Sequence, residues 1–271
     1  MRRFEVSSLS FAFDEATIAR RAGNGRWDLD IDPGWSVRSH PNGGYLMALM
    51  VRALLAEVGQ KDPRSVTAHY LRPTSVGCAE MTVDVFRTGR SLTHAQACLM
   101  QGTERVRIIA AFGELGNIVA PTFPLIPPAE PTVPFNQAGR QQIQEVDGCT
   151  VVDQIDTRVL EGVAPVNEQE SRYPCLTSWV RFADGRPPDV LSLFLFSDPF
   201  PPAVVRQSQS QWVPTVELTV HIWGRPHPGW LRARFETRVL KNGYAVEDGE
   251  LWDEGNNLVA QSRQLALLLP E

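Results

Sequence analysis

The 271-residue chain has little cysteine, no long apolar run and no excess of positive charge. Its four cysteines, Cys78, Cys98, Cys149 and Cys175, lie far apart with no C-x-x-C pair. That excludes a disulfide framework and predicts reduced, buried thiols in a cytosolic, cytoplasmic protein. A net charge of −5 argues against a nucleic-acid partner, which calls for a basic patch. The first residues, MRRFEVSSLSFAFDEAT, carry two arginines, but polar residues interrupt them before an apolar stretch builds up. They read as neither a signal peptide nor a membrane anchor. No G-x-S-x-G elbow occurs, so a serine triad of the α/β-hydrolase kind has no foothold. The five histidines (His40, His69, His94, His221, His227) show no H-x-x-x-H spacing, which predicts no metal. G-N-G at 23–25 runs on into Arg26-Trp27-Asp28 instead of completing a dinucleotide fingerprint, so no cofactor is expected.

What is present starts with HPNGGYLMALMVRALLAEV at 40–58, two glycines followed by a segment interrupted only by Arg52 and Glu57. A helix that is apolar nearly all round is a buried helix, and this one is too short and too polar to span a bilayer. The rest of the chain must therefore wrap it. Residues 120–134, APTFPLIPPAEPTVP, hold six prolines; proline at that density removes backbone donors and favours an extended connector. On either side the sequence alternates at strand period. AEMTVDVF sets Ala79, Met81, Val83 and Val85 on one face, and 65–73 and 106–112 read as further strands. LRARFETRVL sets Leu231, Ala233, Phe235, Thr237 and Val239 against Arg232, Arg234, Glu236 and Arg238, the pattern of an antiparallel strand with one solvated face. Asn242-Gly243 supplies a type I′ hairpin turn, and DEGNN at 253–257 another turn.

The two sides also resemble each other. VTAHYLRP at 66–73 lies over LTVHIWGRP at 218–226 with one residue inserted, an offset of about 152. The same offset brings Gly77 over Gly229 and VRIIAAFG over LVAQSRQL, and it makes His69 and His221 equivalent, which suggests a shared structural role. Each half then has one helix-bearing segment followed by about four strands. The expected fold is α+β, a tandem (double) hot-dog with two antiparallel sheets, each wrapped around a central helix. The expected boundaries are 1–118 for the first hot-dog, 119–148 for the connector and 149–271 for the second.

NGGYLMALMVRALL, TAHYLRPTSVG and RTGRSLTHAQACLMQ together resemble the first half of double hot-dog thioesterases of the acyl-CoA thioesterase II type. ELTVHIWGRPHPGW and AVEDGELWDEGNNLVAQSRQLALLLP resemble the second half of the related thioesterase-like proteins. The resemblance spans nearly the whole chain outside the connector. It implies metal-free hydrolysis of acyl-CoA thioesters by a fused pseudo-dimer, with the attacking water held by an Asp, a Thr and a Gln of the second half.

Those three map onto Asp198, Thr215 and Gln264. Asp198 stands in LSLFLFSDPFPPAVV, the one charge between Asp189 and Arg206. Burial there would raise its proton affinity, and the end of a helix disfavours its charge; equally, Asp-Pro is a common turn. Strand parity groups Gln264 with Ala260, Ser262 and Ala266, where small neighbours leave room for a ligand or water. Thr215 follows Pro214 at a strand start, but parity groups it with Glu217, Thr219 and His221 on the polar side, and the match slips by one residue nearby. Asn42, Gly43 and Gly44, with His40 just before them, are candidates for substrate contact, because a glycine-opened helix start offers unpaired N–H groups; a plain helix cap by Asn42 explains them as well. Two functions stay open: acyl-CoA hydrolysis by an activated water, and non-catalytic binding of acyl-CoA or another acyl thioester on the same fold. Acyl-CoA is the expected partner, with no nucleic acid and no membrane, and a homo-oligomer of pseudo-dimers is compatible with either function.

Overall fold

The apolar segment at 43–58 is helix α2 (Gly43–Val58), capped by the Asn42 side chain, which accepts from the Tyr45 N–H. In the computed structural model, residues 10–59, 61–116, 135–136, 148–161, 174–206 and 213–268 are described. From Gly44 to Leu54 every residue of α2 except Arg52 is buried. Both of its charges reach outward to partners. Arg52 donates to Asp14 at 3.1 Å, and Glu57 accepts from Arg21 at 2.5 Å and from the Trp27 indole at 3.0 Å. Each buried large apolar side chain contributes roughly 1.5–3 kcal/mol, so the helix is held by its wrapping and not by its own propensity.

The wrapping is a sheet. In chain order the elements before the connector are α1 (Ala12–Ala16), β1 (Ala19–Gly23), β2 (Arg26–Ile31), β3 (Ser36–Val37), β4 (His40–Pro41), α2, β5 (Asp62–Tyr70), β6 (Gly77–Thr88), β7 (Thr93–Gln101) and β8 (Thr103–Gly113). Beyond it come β9 (Ile155–Glu161), β10 (Cys175–Phe182), α3 (Ser192–Phe196), β11 (Thr215–Ile222), β12 (Leu231–Lys241), β13 (Tyr244–Trp252) and β14 (Leu258–Leu267). β3 and β4 pair only with each other; the remaining twelve strands make one antiparallel sheet in the order β1-β2-β6-β7-β8-β5-β11-β14-β13-β12-β10-β9.

This corrects the expectation of two separate sheets. β5 and β11 pair directly, so the sheets of the two halves fuse into one. The order reads alike from both ends toward that joint, as an internal duplication requires. At the joint Thr67 faces Thr219, its counterpart in the repeat, and their hydroxyls hydrogen-bond at 2.8 Å. A contact of a residue with its own equivalent is what an isologous, two-fold interface produces. His69 and His221 lie symmetrically about it, opposite Glu217 and Ser65 on the exposed face. The second half also departs from the first: its helix α3 has five residues, against sixteen in α2.

Most strand alternation holds, and a bulge explains one exception. Leu231, Ala233, Phe235 and Thr237 are buried, but a bulge between Thr237 and Val239 turns Val239 out to 49% exposure. Arg232, expected in solvent, is buried with its guanidinium 5.7 Å from the Trp252 ring. Asn242 and Gly243 take the positive φ values of the predicted hairpin turn, 53° and 79°. The cysteines are free, but none is buried as expected: Cys78 is exposed and the other three half-buried. The proline-rich stretch, with most of 119–148, lies outside the described residues.

A polar knot also joins the two halves. Arg186, just ahead of α3 and 7% exposed, donates two hydrogen bonds to Asp14 in α1 and one to Asp189. Its guanidinium lies over Phe13 and Phe182 at 5.1 and 5.2 Å.

Candidate active site

The site is built where α2 and α3 approach each other over the inner face of the sheet. Gly44 permits that approach. A Cβ there would fall 2.5 Å from the Phe194 carbonyl oxygen and 3.0 Å from the Leu195 Cα, backbone atoms that cannot give way. A Cβ on Gly43 would fall 2.8 Å from an Asp198 carboxylate oxygen and 3.0 Å from the Tyr70 hydroxyl. The two glycines are therefore the space into which α3 and Asp198 fit.

Asp198 follows α3, and its backbone N–H still bonds to Leu195 O. Its carboxylate accepts from the Gly44 N–H at 3.0 Å, and its carbonyl accepts from the Asn42 carboxamide at 2.7 Å. Asn42 thus caps α2 with its oxygen and holds Asp198 with its nitrogen. Of the three candidates at the helix start, the Asn42 N–H donates to Trp35 O at 2.8 Å and the Gly44 N–H to Asp198, which leaves the Gly43 N–H for substrate. His40 sits earlier, in the β3–β4 hairpin, with its ring against Ser39 Oγ at 3.2 Å. Burial pushes the Asp198 carboxyl up to about 7 against the lowering effect of the Gly44 hydrogen bond. The residue nevertheless keeps partial exposure, which is the setting of a reactive acid and not of a sealed one.

Gln264, on β14, is 5% exposed and points inward with Ala260 and Ala266, as parity predicts. Its carboxamide nitrogen donates to Thr215 Oγ at 2.6 Å. Simple parity would turn Thr215 away with Glu217. Instead the strand bulges between Thr215 and Glu217, so Thr215 pairs with Ala266 while Leu218 pairs with Gln264. The extra residue flips Thr215 to the inner face. The first half carries the same bulge, between Pro63 and Ser65.

Two residues not singled out from the sequence complete the group. Tyr70 follows His69, which faces Glu217, so it stands beside the Thr215 bulge. Its hydroxyl donates to Gly43 O at 2.7 Å, and burial together with the Asp198 and Glu217 charges pushes it well above its ordinary range. Glu247, on β13, pairs directly with Gln264 and is 6% exposed. Burial pushes it up to about 7, and the Asp198 charge adds to the effect. Alternation with buried Ala245 and Leu251 is the signal that would have marked Glu247 as an inward-facing acid.

The duplication shows why the group is one-sided. Val66 pairs with Ala110, and its counterpart Leu218 pairs with Gln264. Ala110 therefore stands in the first half where Gln264 stands in the second, and Pro63 stands where Thr215 does. Following the pairing outward, Ala95 replaces Glu247 and Val85 replaces Thr237. The direct offset of about 152 had set Phe112 over Gln264; the pairing moves that equivalence by two residues.

An acyl-CoA thioesterase N-terminal domain matches residues 31–113, and the corresponding C-terminal domain matches residues 128–268. The chain belongs to the acyl-CoA thioesterase family. Among solved structures it is similar to a proposed thioesterase II from Thermobifida fusca, at 32% identity and TM-score 0.87 over 97% of this chain and 99% of that one. A conserved protein of unknown function with a hot-dog fold from Alicyclobacillus acidocaldarius shares the architecture at 22% identity and TM-score 0.81, covering 97% of this chain and all of that one (100%). An uncharacterized protein of Mycobacterium tuberculosis is 25% identical over 285 residues, 89% of this chain and 94% of its own. Membership in the thioesterase family matches the resemblance read from the motifs. The described residues hold no cluster of side chains suited to a metal ion, and no helix among them is long and apolar enough to cross a membrane.

Proposed function

We propose that the chain hydrolyses acyl-CoA thioesters to the free acid and CoA, with a water held between Asp198 and the Thr215–Gln264 pair as nucleophile. What supports the proposal is a half-buried, proton-avid carboxylate and a hydrogen-bonded Thr–Gln pair, both supplied by the second half, with Glu247 feeling the Asp198 charge and pairing with Gln264. The ionised Asp198 accepts one proton of the water as its oxygen attacks the thioester carbonyl carbon. The carbonyl π electrons move onto oxygen; their return expels the CoA thiolate, which takes up a proton. Thiolate is a good leaving group, so an activated water suffices without a covalent intermediate. The Gly43 N–H, at the positive end of α2, is the donor nearest to hand for the developing oxyanion. The acyl chain extends along the apolar surface where α2 meets α3.

Steady-state hydrolysis of acyl-CoAs of several chain lengths, followed by release of free thiol, tests the proposal. The wild-type protein turns over, and Asp198→Asn loses roughly 100-fold or more in kcat. Equal rates for the two proteins would remove Asp198 from the mechanism. Tight acyl-CoA binding with no turnover in either protein would instead favour a binding function.

A further inference from the structure

The polar row Thr237–Glu247–Gln264 runs across β12, β13 and β14 on the inner face, where the first half has Val85–Ala95–Ala110. Gln264 has a role in the reaction proposed above; Glu247 as yet has none. Glu247 Oε2 accepts from the Ala203 N–H at 2.6 Å and from Thr237 Oγ at 3.0 Å. Ala203 opens a 3-10 turn, Ala203–Arg206, five residues beyond Asp198. Between them stand Pro199, Pro201 and Pro202, which have no N–H to donate and stiffen the chain. The loop is thus fastened at both ends: at Asp198 by α2, through Gly44 and Asn42, and at Ala203 by Glu247. The same Glu247 lies across the strand from Gln264, at a spacing where directly opposed side chains have Cβ atoms roughly 5 Å apart.

We infer that Glu247 is a positioning residue for the hydrolysis: it fastens the 198–203 loop to the β13–β14 pair, so that Asp198 and Gln264 are held at one separation across the attacking water. The inference rests on the thioesterase reading of the same site. An apolar row, as in the first half, would have served packing alone. A buried carboxylate is disfavoured, and here it serves as acceptor for the buried Ala203 N–H at the end of the loop. Its charge has a second effect. Among the described residues, the charges that make Glu247 hold its proton are Asp198 from the loop and Asp248 beside it on β13, of which Asp248 turns to the other face and pairs with Arg263. Thr237 and Gln264 are neutral. The Asp198 charge makes Glu247 hold its proton more firmly, and linkage requires such a coupling to act in both directions.

Glu247→Gln separates the two effects, because the carboxamide oxygen can accept from both Ala203 and Thr237 while the charge is gone. Glu247→Ala removes both. The measurements are pH–rate profiles of kcat and kcat/KM for both variants and the wild type, and a 13C NMR titration of the Asp198 carboxyl in wild type and Glu247→Gln. Glu247→Gln is expected to move the acid limb, and the Asp198 titration, to lower pH by roughly half a unit or more. Glu247→Ala is expected to lower kcat by ~10-fold or more with a smaller change in KM. Near-UV circular dichroism checks that each variant is folded; if Glu247→Ala is not, Glu247→Leu, which fills the same space without an acceptor, decides. An active wild type with a folded Glu247→Ala, or Glu247→Leu, unchanged in kcat would overturn the inference and leave the thioesterase reading intact. An inactive wild type would instead overturn the reading, and this inference with it.

Discussion

Asp198→Asn should make the protein more stable as well as less active, and the gain should depend on pH in a direction the structure fixes. Asp198 has an ordinary value of 3.8 and is pushed up to about 7 by burial. A carboxyl raised in the folded state favours folding while it is protonated in both states. That contribution is intact below about pH 4 and is lost as the pH rises through the window to about 7. At ~1.4 kcal/mol for each pH unit between the two values, the ionised side chain destabilises the fold by up to about 4 kcal/mol above neutrality. Asparagine does not titrate, and its oxygen can keep the Gly44 N–H bond. Partial exposure of the residue and loss of the charge-assisted part of that bond reduce the gain to about 2–3 kcal/mol. Relief of Glu247, which feels the Asp198 charge, acts in the same direction. Urea unfolding of both proteins at several pH values from about 4 to about 8 measures the difference directly. It should be near zero at the acid end and grow steadily toward neutrality. A difference that stays flat with pH would show that Asp198 is not held against its ionisation, and the reason for regarding it as a base would fail with it.

Gly44→Ala should cost about 1–3 kcal/mol by forcing α2 off the α3 backbone, and should lower turnover further by drawing the Gly44 N–H from Asp198; thermal melts read beside kcat check this. Thr215→Val keeps the shape of the bulge but leaves the Gln264 carboxamide without its 2.6 Å partner. The expected result is a stability loss of about 1 kcal/mol with a drop of ~10-fold or more in kcat, measured by denaturation and by thiol release. Arg186→Ala should cost about 1–3 kcal/mol by denaturant unfolding, since Asp14 and Asp189 are exposed enough to rehydrate. The Arg186 guanidinium holds Asp14 below its ordinary range. Stability from that pair is present above the ordinary carboxylate value and is lost as the pH falls through the lowered one, so the deficit of the variant should shrink in acid.

Parts of the site were legible in sequence because they depend on local pattern. The inward face of Gln264 follows from strand alternation, and the apolar surroundings of Asp198 from its neighbours in the chain. The two glycines announced a close approach, though not what approaches. Thr215 was misplaced because one added backbone residue reverses every side chain before it, and nothing in the alternation of TVELTVHI marks where that residue falls. Glu247 and Tyr70 went unmarked for a different reason: their significance lies in what stands across the strand or beyond the helix, at sequence separations that pattern does not reach.

By itself the sequence determined that an apolar helix must be enclosed by its own chain, that the enclosure is built twice from alternating strands, and that the motifs belong with thioesterases. Burial of apolar surface and strand period act over a few residues, and both are written in side-chain order. Only the tertiary structure decided that the two sheets become one across Thr67 and Thr219, and that the polar group forms in one half alone. Those outcomes depend on pairing register and on hydrogen bonds between segments from 44 to 154 residues apart, whose energies exist only once the chain has closed on itself.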